Sequence, residues 1–314
     1  MKKKAIIVSI KGFKLSSKEK LLLSKESPWG LILFKRNIES FNQVRRLTKE
    51  VKKLTKNKKF PVIIDEEGLS VSRLRNIFYH NIDANFFGNL FRINQKVTIS
   101  LYKNYLNSLC KKLKLIGINV NTIPVLDVLR KNTNDVIGKR SFSNDEKIVK
   151  MLGEITVKKC HLFNIATVIK HIPGHGCSSI DSHLSLPKVK LNEKELNKKD
   201  FYPFKSSSAK MAMTAHILYS KIDKNNVTTF SSKVIKKIIR GKIGFKGILI
   251  SDDISMKALK FDLVTNAKKS LLAGCNLVLY CAGNIKDNFK LIKSVPYIDK
   301  FTSKKTSEIY KILR

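Results

Sequence analysis

The chain has 314 residues, with 62 Lys and Arg against 24 Asp and Glu, a formal net charge of +38. That length holds one large α/β barrel or two ordinary domains, and a hydrophobic content of 43% excludes disorder. No apolar run reaches the roughly 18 residues of a transmembrane helix, and five cysteines (Cys110, Cys160, Cys177, Cys275, Cys281) without CxxC spacing argue against a disulfide framework or a zinc site and fit a reducing compartment.

In chain order, the basic start leads into Ala5–Ile10, an apolar run too short for a secretion signal and ended by Lys11. It reads as the first strand of a cytoplasmic protein. Further apolar runs follow at Leu31–Phe34, Val62–Ile64, Ile118–Val120, Ala166–Ile169, Met211–Thr214, Ile248–Ile250 and Leu277–Tyr280. Between them, Phe41–Leu54, Gln95–Leu115, Asp145–Phe163 and Ser231–Arg240 repeat apolar residues at three-to-four spacing, as helices do. Eight continuous apolar strands alternating with helices predict a parallel sheet covered on its faces. Over this length that means a single (β/α)8 TIM barrel spanning 1–314. A doubly wound sheet would need a glycine-rich phosphate turn after the first strand, and Ser9-Ile10-Lys11-Gly12 is not one. From Ile285 onward the chain reads as one basic helix ending near Arg314.

Polar groups recur just after the strands: Asp65-Glu66-Glu67 after the third, Asp127 after the fourth, Lys170-His171 after the fifth, His216 after the sixth, Asp252-Asp253 after the seventh. A charge beside a buried strand is costly unless it is paired or lines a site. In a barrel these strand ends share one mouth, where active sites form. Any one of them could instead be a helix cap, with Asp252 or Asp253 capping a helix that starts near Met256. The richest segment is Lys170–Pro187, KHIPGHGCSSIDSHLSLP, a loop by its Pro173, Gly174 and Gly176. It carries three of the six histidines.

His171 and His175 are four apart, but Pro173 and Gly174 prevent a helix between them, so metal binding is disfavoured. No G-x-S-x-G nucleophile elbow is present. Glycoside cleavage needs a carboxylate near the anomeric carbon and a proton donor to the leaving oxygen. Asp252 offers the first. In Asp181-Ser182-His183, Asp181 can orient one ring nitrogen of His183, leaving the other to exchange protons near neutrality.

These segments resemble family 3 glycoside hydrolases, specifically bacterial β-N-acetylglucosaminidases of peptidoglycan recycling. The matching motifs are GLILFKRN (30–37), DEEG…R (65–73), PVLDV (124–128), IGKRSFSND (137–145), KHIPGHG…DSHLSLP (170–187), MTAHI (213–217) and SDDISMKAL (251–259). The resemblance implies Asp252 as a nucleophile forming a covalent glycosyl-enzyme, with Asp181 and His183 as the acid/base dyad. It implies Asp65, Arg73, Arg140, Lys170 and His171 as the groups that hold the N-acetylglucosamine ring. It implies no cofactor or metal and a small amino-sugar or muropeptide substrate, N-acetylglucosaminyl-1,6-anhydro-N-acetylmuramic acid and its peptides. No specific nucleic-acid or membrane partner is implied, and a monomer is expected. The family's usual Glu-Gly-Gly-Arg-Val-x-Arg is here Glu67-Gly68-Leu69-Ser70-Val71-Ser72-Arg73, so a changed turn and an altered substrate preference are anticipated.

Three alternatives stay open at this level: a barrel with altered glycoside or phosphorolytic specificity, a degenerate barrel, and a non-catalytic basic binding protein. Against a specific nucleic-acid role, the lysines are scattered and no nucleic-acid fold signature is present. Weak, salt-sensitive attraction to polyanions follows from the charge alone.

Overall fold

A computed structural model describes residues 2–79, 81–178 and 185–313. Eight parallel strands close a barrel: β1 (Lys4–Ser9), β2 (Pro28–Leu33), β3 (Val62–Ile64), β4 (Val120–Asn121), β5 (Ala166–Ile172), β6 (Met211–Thr214), β7 (Ile248–Asp253) and β8 (Leu277–Leu279). They follow one another around the ring, and β1 pairs with both β2 and β8. All eight anticipated apolar runs contribute, because both faces of each strand are covered and nearly every residue is buried.

The barrel interior is solid. Ile7, Ile32, Ile63, Val120, Val168, Met211, Ile250 and Leu279 form one cluster inside the ring. Around the ring pack α1 (Phe41–Leu54), α2 (Ala84–Ile93), α3 (Gln95–Leu115), α4 (Glu146–Leu162), α5 (Leu263–Ala273), α6 (Ile285–Ser294) and α7 (Lys300–Ile312). The sequence accounts for these elements locally. Helix α1 starts at Ser40, whose side chain accepts the Gln43 N–H, and buries Val44, Leu47 and Val51 along one face. Helix α4 starts at Asp145, which accepts from the N–H groups of Lys147 and Ile148. The helix anticipated at Ser231–Arg240 runs over Val234–Lys242 and winds with wider π-helical turns.

Two expectations are corrected. The C-terminal region is two helices, not one. Pro296 cannot continue a helix, and Asp299 caps a fresh start by accepting the Thr302 N–H. No helix begins near Met256 either. Asp253 accepts from the Ser255 N–H in a single turn, and the next helix, α5, starts at Leu263 under its own cap, Asp262.

Helix α7 sits at the foot of the barrel. Its Ile309, together with Leu313 just beyond its end, joins the interior cluster, and Trp29 Nε1 donates to Thr306 Oγ1 at 2.9 Å. At the opposite end, a short parallel pair, Lys188–Val189 with Leu218–Tyr219, ties together the segments that follow β5 and β6. Among the described residues no helix is long and apolar enough to cross a membrane.

Candidate active site

The C-terminal ends of the strands surround a cavity of about 460 Å³. Its floor includes Met213 and Leu279, which also belong to the packed barrel interior. Six of the eight residues singled out from sequence line this cavity: Asp65, Arg73, Arg140, Lys170, His171 and Asp252. They come from four strand ends of the barrel: β3, β4, β5 and β7. Asp181 and His183 lie outside the described residues. His216, grouped with the strand-end charges, is fully buried and does not line the cavity. Its Nδ1 lies 2.7 Å from Thr229 Oγ1 and its Nε2 3.0 Å from the Asp253 carbonyl.

The third strand's Asp65-Glu66-Glu67 shows the alternation of extended chain. Asp65 and Glu67 reach the cavity, while Glu66 is fully buried. Glu66 accepts from Ser72 Oγ at 2.7 Å and from the N–H groups of Arg73 and Leu74 at 2.7 and 3.0 Å. It thereby closes the 66–74 loop and delivers Arg73 to Asp65, with Arg73 Nη2 donating to Asp65 Oδ2 at 3.1 Å. The opposite Asp65 oxygen accepts from Thr122 Oγ1 and lies 3.4 Å from Lys170 Nζ.

Glu67 was not among the sequence candidates. It joins two of them, accepting from Arg140 Nε (2.7 Å) and Nη2 (3.0 Å) while pairing with Lys170 Nζ at 2.5 Å. Burial alone would raise both carboxyls. Lys170 and Arg73 outweigh that for Asp65, and Arg140 and Lys170 for Glu67. Asp65 is held well below the usual carboxylate range, and Glu67 is pulled down to about 2. Both are therefore anions at neutral pH.

Asp127, from the segment after β4, is fully buried behind the cavity wall. Its Oδ2 is 2.7 Å from His171 Nδ1, and its Oδ1 accepts from the N–H groups of His171 (3.2 Å) and His175 (2.6 Å). Burial opposes ionisation, but His171 and these hydrogen bonds prevail, so Asp127 also sits below its ordinary value. A carboxylate only accepts, so Nδ1 of His171 carries a proton toward Asp127. His175, buried beside it, is pushed down by desolvation to about 4.

The two aspartates at the end of β7 are driven apart. Asp252 lines the cavity floor; its N–H donates to Thr214 Oγ1 at 3.3 Å, and its Oδ1 accepts from the Asp253 N–H at 2.8 Å. Burial raises it, but His216, His171 and Lys170 together bring it below the normal range. Asp253 is raised by burial, against hydrogen bonds from Ser255, and the neighbouring charge of Asp252 adds to the rise. Its carboxyl also accepts from the Ser255 hydroxyl at 2.7 Å and the Cys281 N–H at 3.2 Å, so it serves the turn. Environments that split two adjacent carboxyls in this way assign separate roles to them.

The departure at residues 69 and 70 is absorbed locally. Leu69 is not among the residues with positive φ, so no glycine conformation is required of it. Ser70 lines the cavity and is clamped on Asp83, its N–H and its hydroxyl each donating at 2.8 Å. Arg75 donates to the Leu69 carbonyl. Among the described residues, no three His, Cys, Asp or Glu side chains converge as a metal site.

A polar cavity at the C-terminal mouth of a parallel barrel, with anions and cations locked in pairs, is where a barrel enzyme places its active site. The family described as "Glycosyl hydrolase family 3 N terminal domain" matches residues 2–306. A β-hexosaminidase of Nitrosomonas eutropha is 32% identical over 281 residues, 88% of this chain and 80% of that protein. One from Actinobacillus succinogenes is 31% identical over 94% of this chain and 87% of its own. Among solved structures, NagZ from Neisseria gonorrhoeae in complex with N-trifluoroacetyl-D-glucosamine superposes with a TM-score of 0.88 at 28% identity, covering 98% of this chain and 90% of that one. The chain belongs to glycosyl hydrolase family 3 and is a glycoside hydrolase of the β-N-acetylhexosaminidase class.

Proposed function

We propose that this chain is a retaining β-N-acetylglucosaminidase that removes terminal N-acetylglucosamine from N-acetylglucosaminyl-1,6-anhydro-N-acetylmuramic acid and its peptides during cell-wall recycling. The observation that carries the reading is the company kept by Asp252. An ionised carboxylate on the cavity floor faces the same space as Asp65, Arg73, Arg140, Lys170 and His171. Asp65, Arg73, Arg140, Lys170 and His171 hold the sugar ring, whose hydroxyls point in several directions and take charge-assisted hydrogen bonds from such groups.

Asp252 attacks the anomeric carbon and forms a glycosyl ester while the bond to the leaving oxygen breaks. His183, oriented by Asp181, gives that oxygen a proton. Water then loses a proton to His183 and displaces Asp252 from the sugar, so two inversions give net retention. The catalytic unit is the barrel itself. We read it as a cytoplasmic monomer, a compartment supported by five free cysteines.

The test is release of nitrophenol from a p-nitrophenyl N-acetyl-β-glucosaminide. Asp252→Ala should lower kcat by about 10³-fold or more. His183→Ala should cost roughly 10²–10⁴-fold on a poor leaving group and less on nitrophenol, which needs little protonation. Wild-type release no faster than that of Asp252→Ala would sink the reading.

A further inference from the structure

Beside the first cavity lies a second, of about 370 Å³, which the chemistry above does not use. One wall is α2, through Asn85, Asn89 and Arg92; another is the start of the loop after β4, through Arg130 and Lys131; Lys199 closes a third side. The same loop continues through Asp135 to Arg140 along the wall of the first cavity. One loop therefore contributes walls to both spaces.

The charge of this second space is one-sided. Four cations line it, and no carboxylate does among the described residues. Arg92 Nη2 donates to Ser143 Oγ at 3.0 Å and to the Asn144 side chain, both neutral partners. Arg130 is held from behind by the buried Asp200, which takes Nη2 at 2.5 Å and Nε at 3.4 Å. Nη1 of Arg130 has no protein partner among the described residues. Asn89 Nδ2 donates to Asn85 Oδ1 at 3.0 Å, aligning two amides on the rim.

The choice of cation adds to this. The chain has 52 lysines and only 10 arginines. Where lysine is the default positive charge, a retained guanidinium marks a place that needs a rigid fork of donors. Arg73 and Arg140 stand in the first cavity, and Arg92 and Arg130 in the second. A guanidinium fork without an acid partner in a concave basic space suits the paired oxygens of a carboxylate or a phosphate.

We propose that this cavity binds an oxyanion, a carboxylate or phosphate, carried on the leaving group of the sugar held in the first cavity. The proposal rests on the reading of the first cavity as the N-acetylglucosamine site. An acidic leaving group would then be gripped beyond the scissile bond, by the loop that contributes to both spaces.

The experiment compares the full-length enzyme with Arg92→Gln/Lys131→Gln, and with Arg92→Lys as a charge-keeping control that guards against a folding defect. Each is assayed on a neutral aryl N-acetyl-β-glucosaminide, on an N-acetylglucosaminyl-muramyl dipeptide with free carboxylates, and on that dipeptide amidated. The double variant should lose about tenfold in kcat/KM on the acidic substrate, through KM, with little change on the other two. Arg92→Lys, which keeps the charge but loses the fork, should recover only part of the preference.

In parallel, the melting temperature is followed against inorganic phosphate. Protection of the wild type but not of the double variant, with no substrate preference, would assign the cavity to a free oxyanion and overturn the leaving-group claim. Identical behaviour of both proteins in every arm would overturn the site altogether. Wild type inactive on every substrate would instead refute the glycosidase reading, and the phosphate arm would still decide whether the cavity binds an anion.

Discussion

Glu67 makes the residue-scale case for reading a site by its pairings. It carries Arg140 on one side and Lys170 on the other, so two cavity-lining cations are positioned by one buried anion. Glu67→Gln keeps the shape and removes the charge, leaving Arg140 without its counter-ion and Lys170 with Asp65 alone. We expect kcat/KM on an aryl N-acetylglucosaminide to fall roughly 10–100-fold, mostly through KM, while Asp252 stays competent. A variant with wild-type KM would show that Glu67 is structural only. Glu67 and Asp127 were legible as charged strand ends but not as site residues. A sequence displays a carboxylate's position, not its partner, and both act through side chains contributed by other strands. Spacing held a clue for the first: Asp65 and Glu67 are two apart on extended chain and so share a side, which excludes Glu66.

At the scale of elements, close approach decides how the start of the segment after β5 packs. A Cβ on Gly176 would stand 1.8 Å from the Val128 carbonyl oxygen, so the segment after β5 rests directly on the backbone that follows β4. Thr133 Oγ1 donates to the Gly176 carbonyl at 2.5 Å, and the Asn134 N–H donates to that of Ser178 at 2.9 Å. Gly176→Ala must push these backbones apart. We expect a loss of about 1–3 kcal/mol in the denaturant midpoint and a drop in activity, since His171 and His175 hang on Asp127 beside the contact. An unchanged midpoint would show that the contact yields at no cost. The strands themselves were plain in the sequence because burial on both faces leaves unbroken apolar runs. The split C-terminal helix was announced by Pro296 and Asp299. The second cavity was not announced, because its walls come from three separate segments with no shared motif.

For the whole molecule, acid should act in two stages. His175 is depressed from an ordinary 6.5 to about 4, and Glu67 from 4.5 to about 2. For a depressed group the unfolded chain binds the proton first, so the stabilising contribution is full above the ordinary value and lost as pH falls through the folded one. His175 thus contributes a loss between about pH 6.5 and 4, and Glu67, with Asp65, Asp127 and Asp252 moving in the same direction, contributes below that. Calorimetric melting temperatures should decline from pH 6.5 downward, and His175→Asn should flatten the upper part of that slope alone. A stability flat from pH 7 to 4 would contradict this. The plugged barrel also has a kinetic consequence. Met213 and Leu279 close the cavity from below, while Ile309 and Leu313 seal the other end of the same packed column. Traffic is therefore single-ended: on the proposed reading a glycone seated against the floor departs only after the aglycone above it, so release is expected to be ordered, and free monosaccharide re-entering that dead end is expected to compete with the next molecule to be cut.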